Sequence, residues 1–186
     1  AISTLKRWRS DGSHRRDLDR DGSYEHNRAV EIMDAWWPKL VTAQFRPTMG
    51  RASFDAVQSM IRFGAVQGES PSAPGFSDGW WGYVDKDLRT LYTPNKVAGG
   101  ELGRVFCGGG SKKACRTAMR SSLRAVLAVT PDELYGRGAC TDEPTPACWD
   151  RNRPRVTAAI NKPGAFPFQN RPTFQQVVSV KRPVKR

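Results

Sequence analysis

A helix-rich α+β domain is the architecture these residues predict, and three observations carry the prediction. Apolar residues recur at spacings of three and four along successive stretches that proline and glycine separate. Helix-start signals stand ahead of three of them, at Ser77 or Asp78, at Ser111 and at Thr130-Pro131-Asp132-Glu133. Near the C-terminus the pattern changes to a β-branched run over residues 174–180, which reads as a strand. With 186 residues the chain can bury one real core, so it is read as a single region spanning 1–186.

In chain order, residues 1–16 begin with Leu5 and Trp8 and turn basic, as the end of a helix does. From Ser23 a helix is expected with Ala29, Met33, Trp36, Trp37, Leu40 and Val41 on its apolar face. Pro38 is expected to kink or divide it, and residues 47–50 to break it. A second helix follows with Phe54, Val57, Met60 and Ile61, then a surface loop over 64–75. Ser77 or Asp78 caps a third, with Trp81, Val84, Leu88 and Leu91 inward and Asp85 and Asp87 toward solvent, and Pro94 ends it. Residues 99–110 are glycine-rich. They lack the spacing of a phosphate loop, despite Lys112 and Lys113 behind them. Ser111 then starts the clearest helix, through Cys115, Met119, Ser122, Leu123, Val126 and Leu127. The capping box at Thr130 opens a short one with proline at its first position. Residues 136–154 read as an irregular loop, and 156–160 and 174–180 as strands.

The motif with most chemical content is Asp17-Leu-Asp19-Arg-Asp21-Gly22-Ser23-Tyr24-Glu25. Alternating carboxylates followed by glycine are the pattern of a calcium loop, because calcium takes six to eight oxygens converging on one point. Asp17, Asp19 and Asp21 fill positions 1, 3 and 5, Gly22 the sharp turn at 6, and Ser23 offers its carbonyl from 7. Position 12 of a loop over 17–28 is Arg28, not glutamate, so Glu25 at position 9 is expected to supply the last carboxylate. An Asp-rich turn capping a helix is the plainer alternative.

Cys107, Cys115, Cys140 and Cys148 form two pairs with seven residues inside each, without the knuckles of a zinc site. Two local disulfides stapling residues 107–148 are favoured by proximity, with two other pairings open. Disulfides with a calcium loop point to an extracellular, secreted protein. No run of 18 apolar residues exists to span a membrane. The first residues have no signal peptide, so a signal is expected upstream and the sequence reads as incomplete. A net charge of +12 invites a polyanion-binding reading. The basic residues gather in loops and tails at 6–16, 151–155 and 181–186, without a nucleic-acid motif, so no nucleic-acid partner is expected.

Three blocks carry a resemblance. Residues 24–38, YEHNRAVEIMDAWWP, 78–89, DGWWGYVDKDLR, and 170–177, NRPTFQQV, resemble in order the C-terminal part of actinobacterial penicillin acylase family proteins. The resemblance implies the C-terminal portion of an αββα N-terminal-nucleophile hydrolase large chain. It implies an amidohydrolase that releases an acyl group and an amine from a small-molecule amide. Such enzymes use a newly exposed serine whose own α-amino group is the base. The family's serine opens an S-N-x-W-like start, which does not occur here: Ser23 precedes Tyr24-Glu25, Ser111 precedes Lys112-Lys113, and the chain begins with Ala1. The oxyanion-stabilising asparagine is expected N-terminal to these blocks. No catalytic residue and no organic cofactor is therefore assigned to this chain, and calcium is the cofactor expected. The partners expected are the remaining acylase chains. The alternatives are a non-catalytic extracellular calcium-binding module and a basic polyanion-binding protein.

Overall fold

The computed structural model describes residues 1–60, 79–94, 97 and 101–152. The helix-rich expectation holds, since the structure is 69% helical with no strand among the described residues. The expected strands at 156–160 and 174–180, the loop at 64–75 and the caps at Ser77 and Asp78 lie outside them.

Seven helices are described: α1 (Ile2–Ser10), α2 (Asn27–Met49), α3 (Arg51–Met60), α4 (Gly79–Tyr92), α5 (Lys112–Arg124), α6 (Pro131–Tyr135) and α7 (Pro146–Asn152). Helix α2 is the axis, and each of the other six contacts it. It begins at Asn27, not Ser23, because residues 24–26 form a turn in which Asn27 N–H donates to the Tyr24 carbonyl. Neither proline divides it: Pro38 and Pro47 both lie inside, and the helix ends at Gly50. The Thr42 hydroxyl donates to the Pro38 carbonyl one turn on.

A helix surrounded by neighbours has little solvent face, so α2 buries polar residues along with Val30, Ile32, Trp37, Leu40, Val41 and Phe45. Glu31, Asp34 and Gln44 are all buried, and each has a partner. Asn27 and Arg28 donate to Glu31, Arg15 and Tyr135 to Asp34, and Gln44 itself donates to Asp87.

The main apolar cluster joins Trp37, Leu40, Val41 and Phe45 of α2 to Phe54 of α3 and to Trp80 and Val84 of α4. Trp80, not Trp81, is the buried tryptophan. It is 2% exposed, with ring centroids 5.0 Å from Phe45 and 5.5 Å from Phe54. Trp81 is 55% exposed and lies against Trp37 at 4.8 Å. Asp87 shares the buried face of α4, contrary to the expectation that it meets solvent. Its carboxylate accepts from the Phe106 and Cys107 N–H groups, at 2.7 and 2.9 Å, and from Gln44.

The cysteine pairs are those expected from proximity, Cys107–Cys115 and Cys140–Cys148. The first links a 3-10 turn, Cys107–Gly110, to α5. Gly108 there has φ 58°, and a Cβ on it would run into the backbone of Ala114 and Cys115, so the residue must be glycine. Ser111 caps α5 by accepting from Ala114 N–H, and Thr130 and Glu133 form the expected capping box. Residues 136–152 are more ordered than the expected irregular loop, holding a second 3-10 turn at Gly138–Cys140 and α7. Leu127 falls beyond the end of α5 and is 38% exposed. Each disulfide closes a short loop worth about 2.5 kcal/mol by the chain-entropy argument. Peptide mapping without reduction is expected to show both links, and four alkylatable thiols would contradict the structure.

Among the described residues no helix is long and apolar enough to cross a membrane.

Candidate metal centre

The segment between α1 and α2, residues 11–26, gathers two clusters of side chains, among the described residues, that could hold a metal ion. Helix α1 ends at Asp11, whose N–H reaches back to the Arg7 and Trp8 carbonyls. Ser13, at φ 53°, sits in the left-handed region that a non-glycine residue enters only when its surroundings hold it there. Its N–H donates to the Trp8 carbonyl, and the Trp8 indole N–H donates to the His14 carbonyl at 2.8 Å. His14 is thereby fixed beside Asp11.

The next residue anchors the segment in the core. The Arg15 guanidinium donates from both Nη atoms to the two oxygens of Asp34, at 2.7 and 2.9 Å, and from Nε to Asp150 at 2.8 Å. The Tyr24 hydroxyl also donates to Asp150, and the Tyr135 hydroxyl to Asp34. Five residues from four parts of the chain thus share one network, buried at Asp34 and Tyr135 and partly buried elsewhere. Burial opposes the Arg15 charge, but Asp34 and Asp150 more than offset it and raise its pKa. Burial pushes the Asp34 carboxyl up, against the lowering effect of Arg15. Burial first, and the Asp150 carboxylate second, push the Tyr24 phenol up to about 12. The same two causes, with Asp34 as the neighbour, raise Tyr135.

Beyond Arg15 comes the acidic loop. Asp17 Oδ1 accepts from Asp21 N–H and Oδ2 from Gly22 N–H, at 3.1 and 3.0 Å. Asp19 accepts a longer bond from Asp21 N–H, and Asp21 accepts from Ser23 N–H at 2.8 Å. Gly22 takes φ 95°, the turn that position 6 requires. Each of Asp17, Asp19 and Asp21 offers an oxygen within 4.8 Å of the others. Glu25 lies outside that close set. Glu25 instead clasps the base of the loop, its carboxylate accepting from Leu18 N–H and its own N–H donating to the Arg16 carbonyl. Three carboxylates so close repel by roughly 1 kcal/mol per pair in water. The backbone N–H groups aimed at them offset part of that, and a divalent cation would reverse its sign.

A second cluster was not legible in sequence. Asp11 Oδ2 meets His26 Nε2 at 2.8 Å and His14 Nε2 at 3.1 Å, and the two rings meet edge-on at 5.8 Å. The contact from His26 holds the Asp11 carboxyl below the usual carboxylate range. Partial desolvation opposes it, and His14 adds to it. His26 occupies the N-cap of α2, whose first amides use its carbonyl rather than its ring. The ring is therefore left facing Asp11.

No family model matches this chain, and no curated protein and no solved structure matches it either.

Proposed function

We propose that this chain is the non-catalytic C-terminal portion of a secreted penicillin-acylase-like amidohydrolase, in which a calcium loop fixes the start of the central helix. The observation that carries the reading is where the resembling blocks fall. Residues 24–38 form the exit of the acidic loop and the first half of α2, and residues 79–89 form most of α4. These two helices supply most of the main apolar cluster and are tied by the buried Gln44–Asp87 hydrogen bond. A resemblance concentrated on core-building residues supports shared architecture.

In this reading Asp17, Asp19 and Asp21 hold calcium, with the Ser23 carbonyl and the second oxygen of Glu25 completing the set. Calcium supplies charge neutralisation and rigidity, not chemistry. The chain's own residues carry that rigidity inward, since Arg15 lies two positions before Asp17 and pairs with Asp34 of α2. The catalytic serine belongs to another segment, and the acyl group and amine meet residues outside this chain. A second reading, a free-standing extracellular calcium-binding module, is favoured by the acidic cluster alone.

Assay of the isolated chain on phenylacetyl and long-chain acyl amides tests the non-catalytic assignment. No turnover is expected. Turnover that persists through purification and disappears in Ser23→Ala or Ser111→Ala would overturn it. The coding sequence upstream separates the two readings: an S-N-x-W start several hundred residues earlier supports the acylase, and an initiating methionine just before Ala1 contradicts it.

A further inference from the structure

We infer that Asp11, His14 and His26 form a binding site for a zinc-class divalent transition metal, one that clamps the end of α1 to the start of α2. The site is separate from the acidic loop and rests on neither reading above. Its donors differ in kind from those of Asp17, Asp19 and Asp21. Two imidazole nitrogens and one carboxylate suit zinc and its neighbours, whereas an all-oxygen set suits calcium or magnesium.

Geometry supports the assignment. Both imidazoles present Nε2 to the same carboxylate oxygen, Asp11 Oδ2, and all three donor atoms lie within 4.8 Å of one another. Tetrahedral zinc with ligand bonds of 2.0–2.1 Å places its donors about 3.3 Å apart. The two His–Asp distances, 3.1 and 2.8 Å, are already near that spacing, so a metal needs only a small outward adjustment. Three protein ligands with a fourth position for water is the arrangement of an open zinc site.

The ligands are also held in place before any metal arrives. Asp11 caps α1, His26 caps α2, and His14 is fixed by the Trp8 indole on its carbonyl and by the left-handed Ser13 before it. The histidine side chains are only 17% and 15% exposed, while Asp11 at 59% leaves a side from which an ion can enter. A purely structural hydrogen-bonded triad would bring both imidazoles to one oxygen only with both Nε2 atoms protonated. His14 Nδ1 is buried with no hydrogen-bond partner whichever way Nε2 is used. Ligation gives the Nε2 lone pairs a use. The missing second-shell partner on His14 weakens the site, roughly 10–100-fold by the effect of losing such a partner elsewhere.

The experiment is calorimetric titration of the metal-stripped full chain with zinc, in millimolar calcium so that the acidic loop is saturated or shown irrelevant. Zinc is expected to bind, and His14→Gln and His26→Gln each to weaken binding at least tenfold. Asp11→Asn, at a side chain 59% exposed, should weaken it too. Cobalt in place of zinc should give visible absorption that His26→Gln removes. Absence of zinc binding would overturn the inference, as would zinc binding that the histidine variants leave unchanged. Loss of binding in Asp19→Ala with retention in His26→Gln would assign the metal to the acidic loop and overturn it as well.

Discussion

Replacing Asp34 with alanine is expected to destabilise the protein by about 3–5 kcal/mol, the cost of removing one partner from a buried ion pair. The substitution takes away the acceptor of two Arg15 hydrogen bonds and of the Tyr135 hydroxyl, which is fully buried. Asp150 still meets Arg15 Nε, so the guanidinium keeps one of its two carboxylates. Against a usual stability of 5–15 kcal/mol, such a loss leaves a marginal protein. For a domain of this size it corresponds to a fall in melting temperature of about 10 °C or more. Arg15→Met combined with Asp34→Leu removes the half-paired guanidinium but leaves Asp150 with the Tyr24 hydroxyl and no cation, so it should recover at most part of the loss. Urea denaturation of the three proteins checks this. A loss below about 1 kcal/mol for Asp34→Ala would show that the network bears little of the packing between the 11–26 segment, α2 and α6.

The second large effect is expected at Asp87, which is 0% exposed. Alanine there leaves two backbone N–H groups, those of Phe106 and Cys107, without their acceptor, and the Gln44 amide with only its longer bond to the Val84 carbonyl. Each unsatisfied buried donor costs about 1–3 kcal/mol, so a total of about 3 kcal/mol or more is expected. Asparagine keeps one acceptor oxygen but turns an NH2 toward donors, and should fall between wild type and alanine. Hydrogen exchange localises the effect: the Phe106 and Cys107 amides should lose protection first. Asp87→Ala with unchanged protection at those amides would contradict the described capping.

The contrast between α2 and α4 explains what could be read from sequence. Apolar periodicity found both helices, because Leu40, Val41, Val84 and Leu91 sit at helical spacing. It could not choose between Trp80 and Trp81, since either extends the stripe through Val84. The choice was made by Phe45 and Phe54, which come from other helices. The same stripe contains Asp87, which no hydrophobic pattern can mark as buried, because its partners lie 19 and 20 residues away. Helix α2 misled for a related reason. Apolar spacing marks only one face of it, but neighbours surround the helix, and Glu31, Asp34 and Gln44 are buried against specific partners.

Local features were more legible. The cysteine pairs are separated by 8 positions each, and Thr130 with Glu133 by three, so chain proximity decided them. Asp17, Asp19 and Asp21 come together because the turn at Gly22 folds neighbours onto one another. Glu25 stays apart from them, because its carboxylate accepts from the Leu18 N–H and its own N–H is tied to the Arg16 carbonyl at the base of the loop. The Asp11, His14 and His26 cluster needs the whole loop to close before its members meet, and its 15-residue span left no local signal.

The central claim is that the acidic loop binds calcium and thereby orders the entrance to α2. Melting of the metal-stripped chain, with and without millimolar calcium, tests it most directly. Binding to the folded state alone raises stability by about 2.7 kcal/mol at a hundredfold excess over the dissociation constant. Extracellular loops of this kind have dissociation constants of roughly 10⁻⁴–10⁻³ M, so a smaller but measurable rise is expected. Asp19→Ala and Asp21→Ala should abolish the rise, and magnesium, which demands a tighter octahedron, should reproduce little of it. An upward shift that both variants remove is the predicted result. Equal melting temperatures with chelator and with calcium would contradict the account and leave residues 17–25 as a capped turn.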